Sequence, residues 1–377
     1  MRPRNLGGPP GRHASGAVAA AGPLLATLVL ALGCGPAQAP TSEPPPEPLS
    51  EPVADGAWLR PAPGPRAQPV WGLKDGLAVG LWPTSGPRGL IRVYAPYLGQ
   101  RRPRMVNYIA IEPVVKGVRG QSELETGRQG PPGGLAMWTG DTAGVATTPA
   151  DPTTPTPGRV ERSGGVESLT FFLATEPFAN GARPVVQVTL RPDRPRAVGF
   201  RVGAAPGSAP MDACVLTATM GNYGRLRRLW LRGEVVDARK LWPAFEPDRL
   251  GFAPWRAWGR DRLLKRGADL LVAATSDEAD LTGAAYDPAV PAHWRYEGEP
   301  ATQYWRTADA GGVVARVNGR TTYWGNGGPI PGGVAFENFE LQAPFREGQE
   351  FWFGVTPESP AELGFGPEWE RNLTDGR

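Results

Sequence analysis

The chain has 377 residues, with 40 Lys and Arg against 37 Asp and Glu, and only two cysteines and two histidines. Residues 1–33 hold three of the arginines and no acid, so the rest is formally neutral and carries no electrostatic footprint for nucleic acid. No phosphate loop, dinucleotide fingerprint or serine nucleophile elbow occurs in it.

Residues 1–33 read as a targeting segment. Arg2, Arg4 and Arg12 make a basic start, and an uncharged run from Ala17 to Leu32 follows, broken by Gly22 and Pro23 and too short for a comfortable membrane span. It ends in LALGCG. That ending resembles the lipobox of bacterial lipoproteins. The resemblance implies that Cys34 becomes the lipidated first residue and that the protein is exported and anchored to a bacterial membrane. Pro36, with no aspartate nearby, implies the outer membrane or cell surface. The rival reading is a cut after the AQA of residues 37–39, which would release a soluble protein, although Pro40 directly after it disfavours that cut. With Cys34 as anchor, Cys214 has no disulfide partner, and His293 as the one remaining histidine disfavours a zinc site.

Residues 34–69, with APTSEPPPEPLSEP and RPAPGPRAQP, are expected to form an extended proline-rich tether. From 70 to 366, period-two alternation dominates. NYIAIEP turns Ile109 and Ile111 to the core and sets Tyr108 and Glu112 together on the opposite face. Residues 139–165, rich in Thr-Pro, read as a long low-complexity loop. PVVQVTLR and AVGFRV bury Val186, Val188 and Leu190, then Val198, Phe200 and Val202. Cys214 alternates with Leu216, Ala218 and Met220 and reads as core packing. RDRLLKR, 260–266, is the one short helical candidate, and Thr275 with Glu278 reads as a capping box. Asn318-Gly319 between two β-rich runs predicts a two-residue hairpin with Val317 facing Arg320.

Well over a dozen strands with very little helix predict an all-β fold. The expectation is a large antiparallel β-sandwich, either one supersandwich or two packed sandwiches dividing near 203–212, with a tail at 367–377. The body loosely resembles the jelly-roll and mutarotase-like supersandwich proteins of polysaccharide metabolism. Thirteen tryptophans, an exported chain and an all-β body point to a carbohydrate ligand, because Trp and Tyr faces stack on sugar rings while acids and arginines bond hydroxyls.

Three clusters are candidates. In HWRYEGEPATQYWR the predicted hairpin either buries Trp294 and Tyr296 behind a solvated face, or walls a cleft in which His293 carries protons beside Tyr304, Trp305 and Arg306. GNYGRLRRLWLRG places Arg225, Arg227 and Arg228 with Tyr223 and Trp230, either as a solvated strand edge or as an anion site for a uronate carboxylate. Glu112, Glu123, Glu125, Glu337 and Glu340 supply acids for glycoside chemistry. Asp277, Glu278 and Asp280 offer oxygens that could ligate calcium, but no cofactor or metal is expected. Three functions remain open: glycan binding, a polysaccharide lyase or glycoside hydrolase of the same fold, and a structural or assembly role in the envelope. The expected partners are a glycan and the membrane through the anchor.

Overall fold

The computed structural model describes residues 48–366, apart from 85–86, 101–103, 128–132, 147–153, 246–250 and 325–326. The leader, Cys34 and the expected tail at 367–377 lie outside the described residues. The body is an antiparallel sandwich of two sheets with eleven strands each, and the one α-helix among the described residues is the four-residue Ala238–Leu241.

The first sheet runs Val53–Asp55, Trp58–Arg60, Val70–Leu73, Ala78–Gly80, Leu90–Tyr94, Met105–Val115, Ala213–Ala218, Ala335–Pro344, Val314–Arg320 and Arg256–Gly259, with Val118–Arg119 folded back on Met105–Val115. The second runs Glu234–Asp237, Leu226–Leu231, Asp269–Ser276, Thr302–Ala308, Gln349–Thr356, Ala197–Ala204, Pro184–Leu190, Val166–Thr175 and Met137–Gly140. Leu264–Arg266 and Arg159–Ser163 pair off this path. Both sheets draw strands from either side of residues 203–212, where the chain passes from Ala197–Ala204 in one sheet to Ala213–Ala218 in the other. The division expected there is a crossover inside one sandwich.

Alternation makes the core continuous. Ile109, Ile111, Leu216 and Phe339 of the first sheet meet Val188, Phe200, Trp305 and Phe353 of the second, all fully enclosed. Each such aliphatic or phenylalanine side chain contributes about 1.5–3 kcal/mol by leaving water. Val186, Val188, Leu190, Val198, Phe200, Val202 and Cys214 face the core as the period-two reading places them. The Cys214 thiol is pushed up to about 12 by that burial.

Four local expectations fail. The tether does not extend to residue 69, because Val53–Asp55 and Trp58–Arg60 already pair as the sheet edge and Trp58 is buried. Residues 260–266 form a single 3-10 turn, Arg260–Arg262, followed by the strand Leu264–Arg266, whose pairing with Asp269–Ser276 outweighs weak helical propensity. Within the loop expected at 139–165, Arg159–Ser163 pairs with Val166–Thr175. Asn318-Gly319 is not a turn: it lies inside Val314–Arg320, which pairs with Ala335–Pro344 across a register shift. Gly319 has no positive φ. A Cβ there would stand 2.9 Å from the Trp242 ring and 3.0 Å from the Ala335 carbonyl, so close packing selects this glycine.

Candidate functional site: an acid-floored cleft on the outer face of the first sheet

Because Ile109 and Ile111 point into the core, Tyr108 and Glu112 point out of the first sheet, and Leu90 with Tyr94 does the same on the neighbouring strand. Loops rise around this face to enclose a cleft of about 1400 Å³. Its floor is charged, although a solvated sheet face would leave such groups in water.

Three adjacent strands place Glu112, Thr217 and Glu340 side by side, since Met105–Val115, Ala213–Ala218 and Ala335–Pro344 are paired in that order. The turn at Lys116 and Gly117, both at positive φ, folds Val118–Arg119 back so that the Arg119 guanidinium reaches them. One nitrogen of that guanidinium, Nη2, bonds both Glu112 and Glu340, and Nη1 donates to the second Glu340 oxygen at 3.1 Å. The Thr217 hydroxyl lies 2.8 Å from Glu112 and 3.1 Å from Glu340, so its single proton goes to one of them. Glu123 adds a third carboxyl to the electrostatics of this group. Burial pushes both Glu123 and Glu340 up from the usual carboxylate range, with Arg119 pulling them back. Three carboxyls facing one guanidinium cannot all ionise cheaply, so the cluster retains protons that free carboxylates would release.

Glu337 reaches the cleft by a β-bulge. Val317 pairs with Phe339 and Gly319 with Phe336, so Glu337 and Asn338 together oppose Asn318 alone. Phe336 and Phe339 both face the core, which leaves Glu337 and Asn338 on the cleft side. The backbone N–H of Asn338 donates to Asn318 Oδ1 at 3.1 Å and fixes the bulge. Glu337 is only 5% exposed, and its Oε2 is enclosed without a hydrogen-bond partner. Desolvation pushes its carboxyl up to about 8, against a weaker downward pull from Arg320. The Arg320 guanidinium stacks over the rings of Trp324 and Phe252, at 4.9 and 5.1 Å from their centroids. Those two rings line the cleft and are 45% and 43% exposed. Trp255, also in the lining, carries Arg119 at 5.4 Å and Arg316 at 5.0 Å.

The structure divides the sequence candidates. Glu112, Glu337, Tyr223 and His293 line the cleft. His293 is exposed and belongs to the 3-10 turn Ala292–Trp294, while Tyr296 is buried against Tyr223 at 5.3 Å. The predicted hairpin is therefore a turn and loop leading into Thr302–Ala308. Tyr304 and Trp305 do point to opposite sides of that strand, but neither reaches the cleft. Trp305 is wholly in the core, its indole N–H donating to the Phe339 carbonyl at 2.9 Å. Tyr304 and Arg306 lie on the outer face of the second sheet beside a depression of about 50 Å³, with Arg306 paired to Asp269. His293, Tyr304 and Arg306 do not converge.

The arginine cluster is not a free anion site either. Arg225 donates twice to Glu278, at 2.9 Å each, and also to the Leu281 carbonyl and the Tyr286 hydroxyl. Arg227 bonds Glu278, Asp277 and the carbonyls of Pro331 and Val334. Both guanidinium groups are buried and tie the loops that bear cleft residues to Leu226–Leu231, whereas Arg228 is exposed. The same ion pairs occupy Asp277 and Glu278, two of the acids considered for calcium, and Glu278 is also the proposed capping glutamate, while Asp280 accepts from Thr282 and Gly283 of its own turn. Among the described residues no three or more His, Cys, Asp or Glu side chains are grouped so as to hold a metal ion.

Sequence reasoning missed Arg119, Thr217, Phe252, Trp255 and Trp324 as site residues. One signal was legible for Glu337: the core positions Phe336, Phe339 and Leu341 break period two, which is how a bulge is written in sequence. Comparison with protein-family models, curated proteins and solved structures found no match.

Proposed function

We propose that the cleft binds a carbohydrate and that the protein is an exported, lipid-anchored glycan-binding protein of a bacterial envelope. The observation that supports this most is the pair of exposed rings, Phe252 and Trp324, standing over a floor of carboxyls and guanidinium groups. Flat apolar faces suit the C–H faces of sugar rings, and the floor offers acceptors and donors for hydroxyls. A uronate-cleaving lyase fits less well, because Arg225 and Arg227 are already occupied by carboxylates and carbonyls.

A glycan array probed with the full-length protein should yield binders. Their affinity should fall at least 10-fold in Trp324→Ala and Phe252→Ala, about 1.4 kcal/mol, with the melting temperature nearly unchanged. Undiminished binding after loss of both rings would place the ligand elsewhere. The anchor is tested separately: Cys34→Ser should shift the protein from the membrane fraction or leave an unprocessed precursor, and a mature N-terminus at Pro40 in the wild type would refute it.

A further inference from the structure

Resting on the carbohydrate reading, we propose that the cleft is also catalytic, hydrolysing a glycosidic bond of its glycan with Glu337 as proton donor and the Glu112–Glu340 pair as the base toward water. The two acid sites stand in opposed environments. Glu337 is enclosed by the bulge, with one oxygen unpartnered and no hydrogen bond or ion pair to any described residue. A carboxyl with only a scaffolding task is normally satisfied by a partner at such depth. The Glu112–Glu340 pair, by contrast, is held by Arg119 and Thr217, which stabilise an ionised carboxylate and fix its direction. Burial raises both Glu337 and Glu340, but only the pair has a guanidinium and a hydroxyl beside it to carry an ionised carboxylate, so one site can hold an acid and a base at one pH.

Their spacing suits the same chemistry. Glu337 and Glu340 are three residues apart on one strand and both line the cleft, and because the bulge sets three residues of this strand against two of its partner, roughly 7–10 Å of strand separates them. That leaves room for a glycosidic bond and a water between acid and base. In the step, the Glu337 O–H proton passes to the glycosidic oxygen while the bond from that oxygen to the anomeric carbon breaks, its electron pair staying on the oxygen. Water oxygen bonds the anomeric carbon and gives a proton to the ionised carboxylate of the Glu112–Glu340 pair. Glu337 then recovers a proton from solvent and the pair returns one, so the net change is addition of one water. Phe252 and Trp324 would hold the flanking sugar rings.

The test incubates the full-length protein with the tightest glycan from the array and measures reducing ends released between pH 5 and pH 9. Wild type should release them, with kcat/KM falling above about pH 8 as Glu337 loses its proton. Glu337→Gln should lower kcat by at least about 100-fold, the scale of one general acid, while binding the glycan within about 3-fold of wild type. Glu112→Gln should lose turnover with binding kept. A glycan bound by wild type but left intact, or turnover undiminished in Glu337→Gln, overturns the catalytic proposal and leaves the binding reading standing. Failure to bind any glycan overturns both. Should Glu337→Gln fold poorly, the wild-type pH profile decides, and the absence of an alkaline limb counts against Glu337 as donor.

Discussion

The outer faces of the two sheets follow the same alternation and come to opposite ends. On the second sheet, aromatic rings lie flat on glycines of the adjacent strand: Tyr304 covers Gly354, where a Cβ would come within 2.1 Å of the ring, and Trp352 covers Gly199. Its charges pair near solvent, as Arg306 does with Asp269. This face satisfies itself. On the first sheet the rings of Phe252, Trp255 and Trp324 stack with arginines around a floor of buried carboxyls, and Glu337 keeps an unpartnered oxygen. Aromatic and charged residues therefore do not mark a site by their presence. A site is marked where their faces and lone pairs are left unused by the fold.

That contrast can be broken most forcefully at the bolts of the cleft wall. Arg225→Met leaves Glu278 without its bidentate partner and the Leu281 carbonyl without its donor. It should cost about 2–4 kcal/mol in denaturant unfolding and abolish glycan binding, less than a fully buried pair broken from one side because Glu278 keeps Arg227 and some solvent. A loss under 1 kcal/mol would mean that the wall does not depend on this arginine.

A second, pH-dependent effect belongs to the first sheet alone. Burial pushes the folded Glu337 carboxyl up to about 8 from its ordinary 4.5, so the folded chain holds a proton that the unfolded chain has released between those values. Its contribution is complete at low pH and is lost as pH rises toward 8, a change of up to several kcal/mol. Glu123 and Glu340, also pushed up, act in the same direction. Unfolding free energy should decline between pH 5 and pH 8 in wild type and decline less in Glu337→Gln. Parallel curves for the two proteins would remove Glu337 as the source.

The second face should respond through packing only. Gly354→Val displaces the Tyr304 ring and should cost about 1–3 kcal/mol with glycan affinity unchanged. Weakened binding there would show that the two faces are coupled. The smallest effect is expected for Arg306→Met, whose partly exposed pair with Asp269 is worth under about 1 kcal/mol.

Period-two patterning alone determined the all-β sandwich class and the inward faces of 185–190, 198–202 and 214–218, because burial on one side of a strand repeats every second residue whatever the strand pairs with. It also set Tyr108 and Glu112 on the face that became the cleft. Local signals failed where a distant partner outweighed them. Asn318-Gly319 has turn chemistry, yet Trp242 and Ala335 close over Gly319 and hold it in a strand. Arg225 and Arg227 resemble an anion site until Glu278, contributed by a loop 53 and 51 residues further along the chain, fills it. Arg119, Glu112, Thr217 and Glu340 come from separate strands, and Phe252 and Trp324 from separate loops, so no spacing along the chain records their meeting. Only tertiary pairing decided which acids were buried and which rings stayed open, because desolvation and shared hydrogen bonds depend on neighbours in space rather than in sequence.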